Sequence, residues 1–204
     1  MKRLVGPDEV RRAPGGVLRV EHDALVSPYA EDEAIRRGVR IERVGAHATS
    51  SRAVAVGADH GGFALKERIR AHLEACGHLV LDVGTHSTDS VDYPDLALKV
   101  ARAVADGVAA AGILVDGAGI GSAMAANKVP GIRAAKCDSL FDATNSREHN
   151  HANVLALGAR LDPALACEMA ETWLATPFGE GRHARRVEKI MAIERSRGQC
   201  TSPA

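Results

Sequence analysis

The chain has 204 residues with Lys+Arg and Asp+Glu both at 26. That length suits one well-buried core with some chain left over, and the charge balance excludes a global field that would recruit nucleic acid or an anionic membrane. Nowhere is an apolar run long enough to span a bilayer, Met1 to Pro7 lack the apolar stretch of a signal peptide, and Cys76, Cys137, Cys167 and Cys200 are scattered, without a CxxC pair or metal-like spacing to histidine, so free thiols and a soluble, cytoplasmic protein are expected.

In chain order, residues 1–50 are charged and broken by Pro7, Pro14-Gly15-Gly16 and Pro28. Gly16 to Val20 has the composition of a short strand, and Glu31 to Arg37 that of a helix closed by Gly38. With few large apolar side chains, this segment reads as an irregular N-terminal extension that buries little core. Ala48 to Ser51 reads as a linker to a domain spanning 52–197.

From residue 52 the pattern is regular. Apolar runs at Ala53–Gly57, Leu79–Val83, Gly112–Val115, Ile132–Ala135 and Val154–Leu157 are mostly aliphatic and unalternated, as in strands covered on both faces. Helical stretches intervene at Phe63–Ala75, Pro94–Ala105 and Pro163–Leu174. The alternation predicts an α/β protein, a doubly wound, parallel five-stranded sheet with right-handed crossovers. Ligands of such folds sit at the carboxyl ends of the strands, where Asp59-His60 and Asp116 would both lie.

Four segments carry candidate chemistry. Gly57 to Gly62 follows a strand, so Asp59 either caps the next helix or, with His60, faces a hydroxylated ligand. Asp116 ends an apolar run and is followed by Gly117, Gly119 and Gly121, with Ser122 opening a helix. A turn there either is structural or cradles an anion with its N–H groups, the carboxylate at its lip serving as a base. The spacing is not the G-x-G-x-x-G of dinucleotide folds. Ser146 to Asn153 reads as a polar loop before a strand; His149 and His151 give weak support for a metal, and His149 suits a proton shuttle. Arg182 and Arg186 share one face at the start of a C-terminal helix, either as a solvated basic face or as a phosphate site.

Together these segments resemble the type B ribose-5-phosphate isomerases and the related galactose-6-phosphate isomerase subunits. The resemblance rests on Gly57 to Gly62, Asp92-Tyr93-Pro94, Gly117 to Gly121 with Ala125 to Lys128, Gly131 to Ala135, Ser146 to Asn150 with Asn153 to Leu155, and Gly181 to His183 with Arg186-Val187. It runs from about Arg52 to about Glu194 and leaves out residues 1–50. It implies a Rossmann-like parallel sheet, no cofactor and no metal, a sugar-phosphate substrate, and a homodimer or homotetramer with sites shared between subunits. Position by position, it implies that Asp59 and His60 contact the sugar and its phosphate and that Tyr93 lines the pocket. Gly117, Gly119 and Gly121, with Ser122, would surround the enediolate. His149 would assist ring opening, Asn150 bind the sugar, and Arg182, His183 and Arg186 hold the phosphate.

The chain departs from the family at two points. Many members carry a cysteine base where this chain has Asp116, and others a glutamate where it has Ser122, so Asp116 is the acid–base group left in the motif. Ala118 stands where many relatives have a threonine associated with ring opening, which favours a substrate that needs less opening, such as a tetrose 4-phosphate. The expected activity is aldose–ketose isomerisation of the ribose 5-phosphate type through a cis-enediolate. The alternatives are another sugar phosphate, a heteromeric isomerase or a non-catalytic sugar-phosphate-binding homologue, with a nucleotide-binding module last.

Overall fold

The structure is a computed structural model, and it describes residues 4–21, 25–44 and 53–198. The chain divides into two compact units, Met1–Ser50 and Ser51–Ala204; the linker expected at 48–51 lies outside the described residues.

The first unit contains more regular structure than its prolines and glycines suggest. Strands β1 (Leu4–Val5) and β3 (Leu25–Val26) pair in parallel, as do β2 (Val17–Glu21) and β4 (Arg40–Val44), with helices α1 (Pro7–Arg11) and α2 (Pro28–Arg37) between them. Proline is tolerated because it opens both helices, where its missing N–H costs no hydrogen bond. Ser27 caps α2, and Gly38 ends it in the left-handed region. Small apolar clusters around Val5 and Val20 and around Val10, Ala30 and Ala34 hold the unit.

The second unit is the predicted α/β sandwich. Strands β5 (Ala53–Ala58), β6 (Leu79–Asp82), β7 (Ala111–Asp116), β8 (Ala134–Lys136) and β9 (Val154–Gly158) form one parallel sheet in the order β6-β5-β7-β9-β8. Helices α3 (Phe63–Ala75), α6 (Leu140–Asn150) and α7 (Pro163–Ala175) pack together, and α4 (Tyr93–Ala105) packs with α5 (Ile120–Ala126). α8 (Arg182–Gly198) closes the chain. Although the strands read as unbroken apolar runs, their side chains alternate between two cores. Val54, Val56, Ile113, Val115, Leu155 and Leu157 join Leu65, Ile69, Met169 and Trp173 on the α3/α7 side. Ala55, Leu114, Val154 and Ala156 join Val100, Ala101 and Ala126 on the other.

Several boundaries differ from the sequence reading, and at β8 and α5 a side chain replaces a backbone partner. β8 starts at Ala134 rather than Ile132, since the Arg133 N–H donates to Asn153 Oδ1 at 2.7 Å and Asn153 Nδ2 donates to the Gly131 carbonyl at 2.8 Å. α5 starts at Ile120 rather than Ser122, because the Asp116 carboxylate accepts from the N–H groups of its first turn. Ser146 to Asn150 is the last part of α6 rather than loop. The Ser139 hydroxyl caps that helix, and His151 ends it in the left-handed region.

Candidate active site

The sheet's carboxyl edge gathers the first group of residues. Ala58 pairs with Val115, and Asp116 with Gly158, so Asp59 leaves β5 beside the end of β7. Its N–H donates to the Val115 carbonyl at 3.2 Å. The Asp59 carboxylate accepts from the Gly62 N–H at 2.8 Å, which closes the turn into α3. His60 Nδ1 lies 3.3 Å from both the N–H and the carbonyl of Val91, tying this turn to the segment that leads into Tyr93. The loop after β6 is fixed from below by Lys66, which is 1 % exposed and donates to Asp82 Oδ2 at 2.6 Å and to the Thr85 carbonyl at 2.9 Å.

Asp116 is buried at the centre of this edge, 5 % exposed. Its Oδ1 accepts from the N–H groups of Ala118 at 2.8 Å and Gly119 at 2.5 Å, and its Oδ2 from the Ser122 N–H at 2.8 Å. The loop can wrap so tightly because Gly119 adopts φ +74 and packs against the β9 backbone, 2.9 Å from Leu157 carbon to the position of a Cβ. Burial pushes the carboxyl upward, but the Ser122 hydroxyl and the three N–H donors outweigh it, so the group is held below its ordinary 3.8. The N–H cradle expected to stand open for a substrate oxygen is therefore turned inward. Gly119 and Ser122 serve the carboxylate, while Gly117 and Gly121 are not among its donors. Gly121 has a separate reason to lack a side chain, since a Cβ there would lie 2.7 Å from the Tyr93 ring. Tyr93, 41 % exposed, thus covers the first turn of α5.

A second group lies at the opposite edge. Parallel strands force each helix to run back, so α6 begins after β8 and ends where β9 begins. Two hydrogen bonds fix that end to the start of β8: Asn153 N–H to the Arg133 carbonyl at 3.1 Å, and Arg133 Nε to the His151 carbonyl at 2.8 Å. His149 and Asn150 are therefore at the amino edge. The His149 ring stacks on His183, centroids 4.0 Å apart and planes 5° apart. His151 stacks instead on Phe178, so the His-x-His pair does not converge on one point. Asn145, which lies just before the segment singled out in the sequence, sits one turn before His149. Its amide Nδ2 is 2.9 Å from His149 Nδ1; as the amide nitrogen only donates, the ring proton is on Nε2.

α8 brings its own residues to the same edge, because the Gly179 N–H donates to the Glu148 carbonyl at 2.8 Å. Arg182 Nε donates to His183 Nε2 at 3.2 Å, which leaves the His183 proton on Nδ1. That Nδ1 is buried without a partner among the described residues. Desolvation, then the neighbouring His149, Arg182 and Arg186, lowers the pKa of His183. A buried donor, two guanidinium groups and a helix N-terminus suit an anion. Among the described residues, no hydrogen bond, ion pair or ring contact links the Asp116 group with the His149 group.

A model of the ribose/galactose isomerases matches residues 54–190. The chain belongs to that family. Ribose-5-phosphate isomerase B of Escherichia coli (strain K12) is 48% identical over 145 residues, 71% of this chain and 97% of the relative. D-erythrulose-4-phosphate isomerase of Pectobacterium atrosepticum is 43% identical over 139 residues, 67% of this chain and 91% of the relative. The solved structure of Clostridium thermocellum ribose-5-phosphate isomerase B superposes with a TM-score of 0.70 at 51% identity, covering 71% of this chain and 98% of that one. The ribose/galactose isomerase match begins at residue 54 and leaves out the first unit. Among the described residues, no helix of this family member is long and apolar enough to cross a membrane.

Proposed function

We propose that this chain is a sugar-phosphate aldose–ketose isomerase that interconverts ribose 5-phosphate and ribulose 5-phosphate through a cis-enediolate, with Asp116 as the base. Membership of the ribose/galactose isomerases supports the reaction class. The observation that carries the choice of base is the buried Asp116 carboxylate at the carboxyl edge, ringed by N–H donors. In the forward direction Asp116 takes the C2 proton, and the C–H electrons become the C1–C2 double bond as O1 gains negative charge. A proton passes from O2 to O1, and Asp116 returns its own proton to C1. The charge leaves the carboxylate as it appears on the substrate oxygen, so the donors that hold Asp116 in the resting state can follow it. One such donor is typically worth about 3–4 kcal/mol in a transition state. The cost is a weaker base, since the same donors lower the carboxyl pKa.

Arg182, His183 and Arg186 would hold the phosphate, Asp59, His60, Tyr93 and Asn150 the sugar, and His149, proton on Nε2, would assist ring opening. No metal or cofactor enters this scheme. Because the two groups lie at opposite edges of the sheet, the site is completed by a second copy, in a homodimer or homotetramer. Exposed Ile120, Met124, Phe141, Ile190 and Ile193 on α5, α6 and α8 support such association. The expected setting is the cytoplasm. The test is a coupled assay of the purified protein against four-, five- and six-carbon aldose and ketose phosphates, in which ribose 5-phosphate should be converted.

A second reading, isomerisation of a tetrose 4-phosphate, is favoured by Ala118 and by the 43% identity to the Pectobacterium enzyme. A tetrose esterified at its terminal oxygen cannot close a furanose and needs no ring opening. The same panel separates the readings by which substrate has the higher kcat/KM.

A further inference from the structure

Away from the isomerase site, α3 and α7 pack side by side on one face of the sheet. Each contributes a pair of metal-binding side chains one turn apart, His72 and Cys76 from the end of α3, and Cys167 and Glu171 from α7. His72 Nε2 lies 3.1 Å from Glu171 Oε2 and 3.7 Å from Cys76 Sγ, and one ligand atom from each of these three residues falls within 4.8 Å of the others. We propose that His72, Cys76 and Glu171, with Cys167 in the fourth position, bind a divalent zinc-type ion that fastens α3 to α7.

The distances carry the proposal. In tetrahedral zinc sites the metal–nitrogen, –oxygen and –sulfur bonds are about 2.0–2.1, 2.0–2.2 and 2.3 Å. At tetrahedral angles those bonds separate nitrogen from oxygen by about 3.4 Å and nitrogen from sulfur by about 3.6 Å. The observed 3.1 and 3.7 Å are close to these values for both pairs that His72 makes, and Cys167 would turn from the Arg68 carbonyl to complete the set. The donor set is mixed imidazole, thiolate and carboxylate, which suits zinc and cobalt and is too soft for magnesium or calcium.

Cys167 lines the same groove as His72 and Glu171, and its thiol now donates to the Arg68 carbonyl at 3.7 Å. Cys76 and Cys167 are both free thiols. Each would lose one proton on ligation, so metal affinity should rise with pH. His72 and Glu171 are partly exposed, at 35% and 53% of their side-chain surface, leaving an entry path from solvent. Among the described residues, the hydrogen bonds and ion pair of His72, Cys76, Cys167 and Glu171 involve no candidate active-site residue, so occupancy should leave isomerase turnover unchanged.

The experiment is titration of the full chain, stripped with a chelator and kept reduced, with Co²⁺ followed by optical absorption. One ion per chain should give a sulfur-to-cobalt charge-transfer band with tetrahedral visible bands, both displaced by Zn²⁺. Cys76→Ala should weaken binding by more than roughly 100-fold, beyond the 10–100-fold that outer-shell partners cost. Glu171→Gln and Cys167→Ser should each weaken it as well. None of the four side chains is buried, and the unfolding temperature of each metal-free variant should match that of the metal-free parent. Absence of the charge-transfer band from the parent at saturating Co²⁺, or an unchanged Co²⁺ affinity in Cys76→Ala, would overturn the proposal. Unchanged affinity in Cys167→Ser would overturn the fourth ligand.

Discussion

If the catalytic groups are divided between subunits, two dead variants should rescue each other. Within one chain the separation is set by the strands. Gly112 pairs with Val154 and Asp116 with Gly158, so the amino and carboxyl edges differ by about 13 Å at a rise of roughly 3.3 Å per residue. His149 lies still further back, before the turn that starts β9. A five-carbon sugar phosphate is only about 8 Å from C1 to phosphorus, taking bonds of roughly 1.5 Å. That length is shorter than the separation of the two edges, which supports completion of the site by a second copy. The perturbation is to prepare Asp116→Asn and His149→Ala separately and then co-express them. Loss of an acid–base group typically costs about 10²–10⁴-fold, so each variant alone should fall to about 1 % of parent activity or less. Random pairing of twofold-symmetric subunits makes about half the dimers mixed. Each mixed dimer has one site with both native residues and one with neither, so the mixture should recover about a quarter of parent turnover in the coupled assay. Recovery no greater than the sum of the separate variants would refute the divided site and require an intramolecular one.

Further expectations follow from particular contacts. Because Asp116 titrates below its ordinary 3.8, kcat/KM should hold down to acidic pH and fall only below the usual carboxylate range, with no loss near neutrality of the kind a thiol base would give. The same depressed pKa adds stability above the unfolded value, lost as pH falls through the folded value. Urea unfolding of Asp116→Asn should lack that acid limb and lose roughly 1–3 kcal/mol near neutrality, since the amide turns a donor toward the Ser122 N–H. Gly121→Ala places a Cβ 2.7 Å from the Tyr93 ring; the ring should be displaced, raising KM for the sugar phosphate more than it lowers kcat. Zn²⁺ at 100 times its Kd should stabilise the stripped protein by about 2.7 kcal/mol, read as a higher unfolding temperature that Cys76→Ala abolishes.

Much of the fold was legible in the sequence because the strands are aliphatic runs that need cover on both faces. The termination of α3 and α4 near Gly77 and Gly107 was equally plain. What could not be read was any boundary decided by a distant side chain, such as Asn153 shortening β8. The polar stretch from Ser146 looked like loop because α6 is only weakly amphipathic, and Asn145, the residue that sets the His149 proton, becomes its neighbour only through the helix turn that was not recognised there. At the site, the composition of the Gly117 to Gly121 turn predicted N–H donors around Asp116, but not that the carboxylate itself would take them. That choice depends on Gly119 adopting a left-handed conformation against β9, a tertiary contact. The cysteines looked scattered for a similar reason. Cys76, at the end of α3, and Cys167, on α7, are far apart in sequence and belong to one helix pair only when α3 packs on α7.

The most direct test of Asp116 as the proton carrier is NMR of ribose 5-phosphate incubated with the protein in D₂O. The parent should convert the aldose and introduce solvent deuterium at the exchanging carbon, and Asp116→Asn, shown to be folded, should do neither over the same interval. Deuterium entering at parent rate with the asparagine variant would assign the proton transfer to another group.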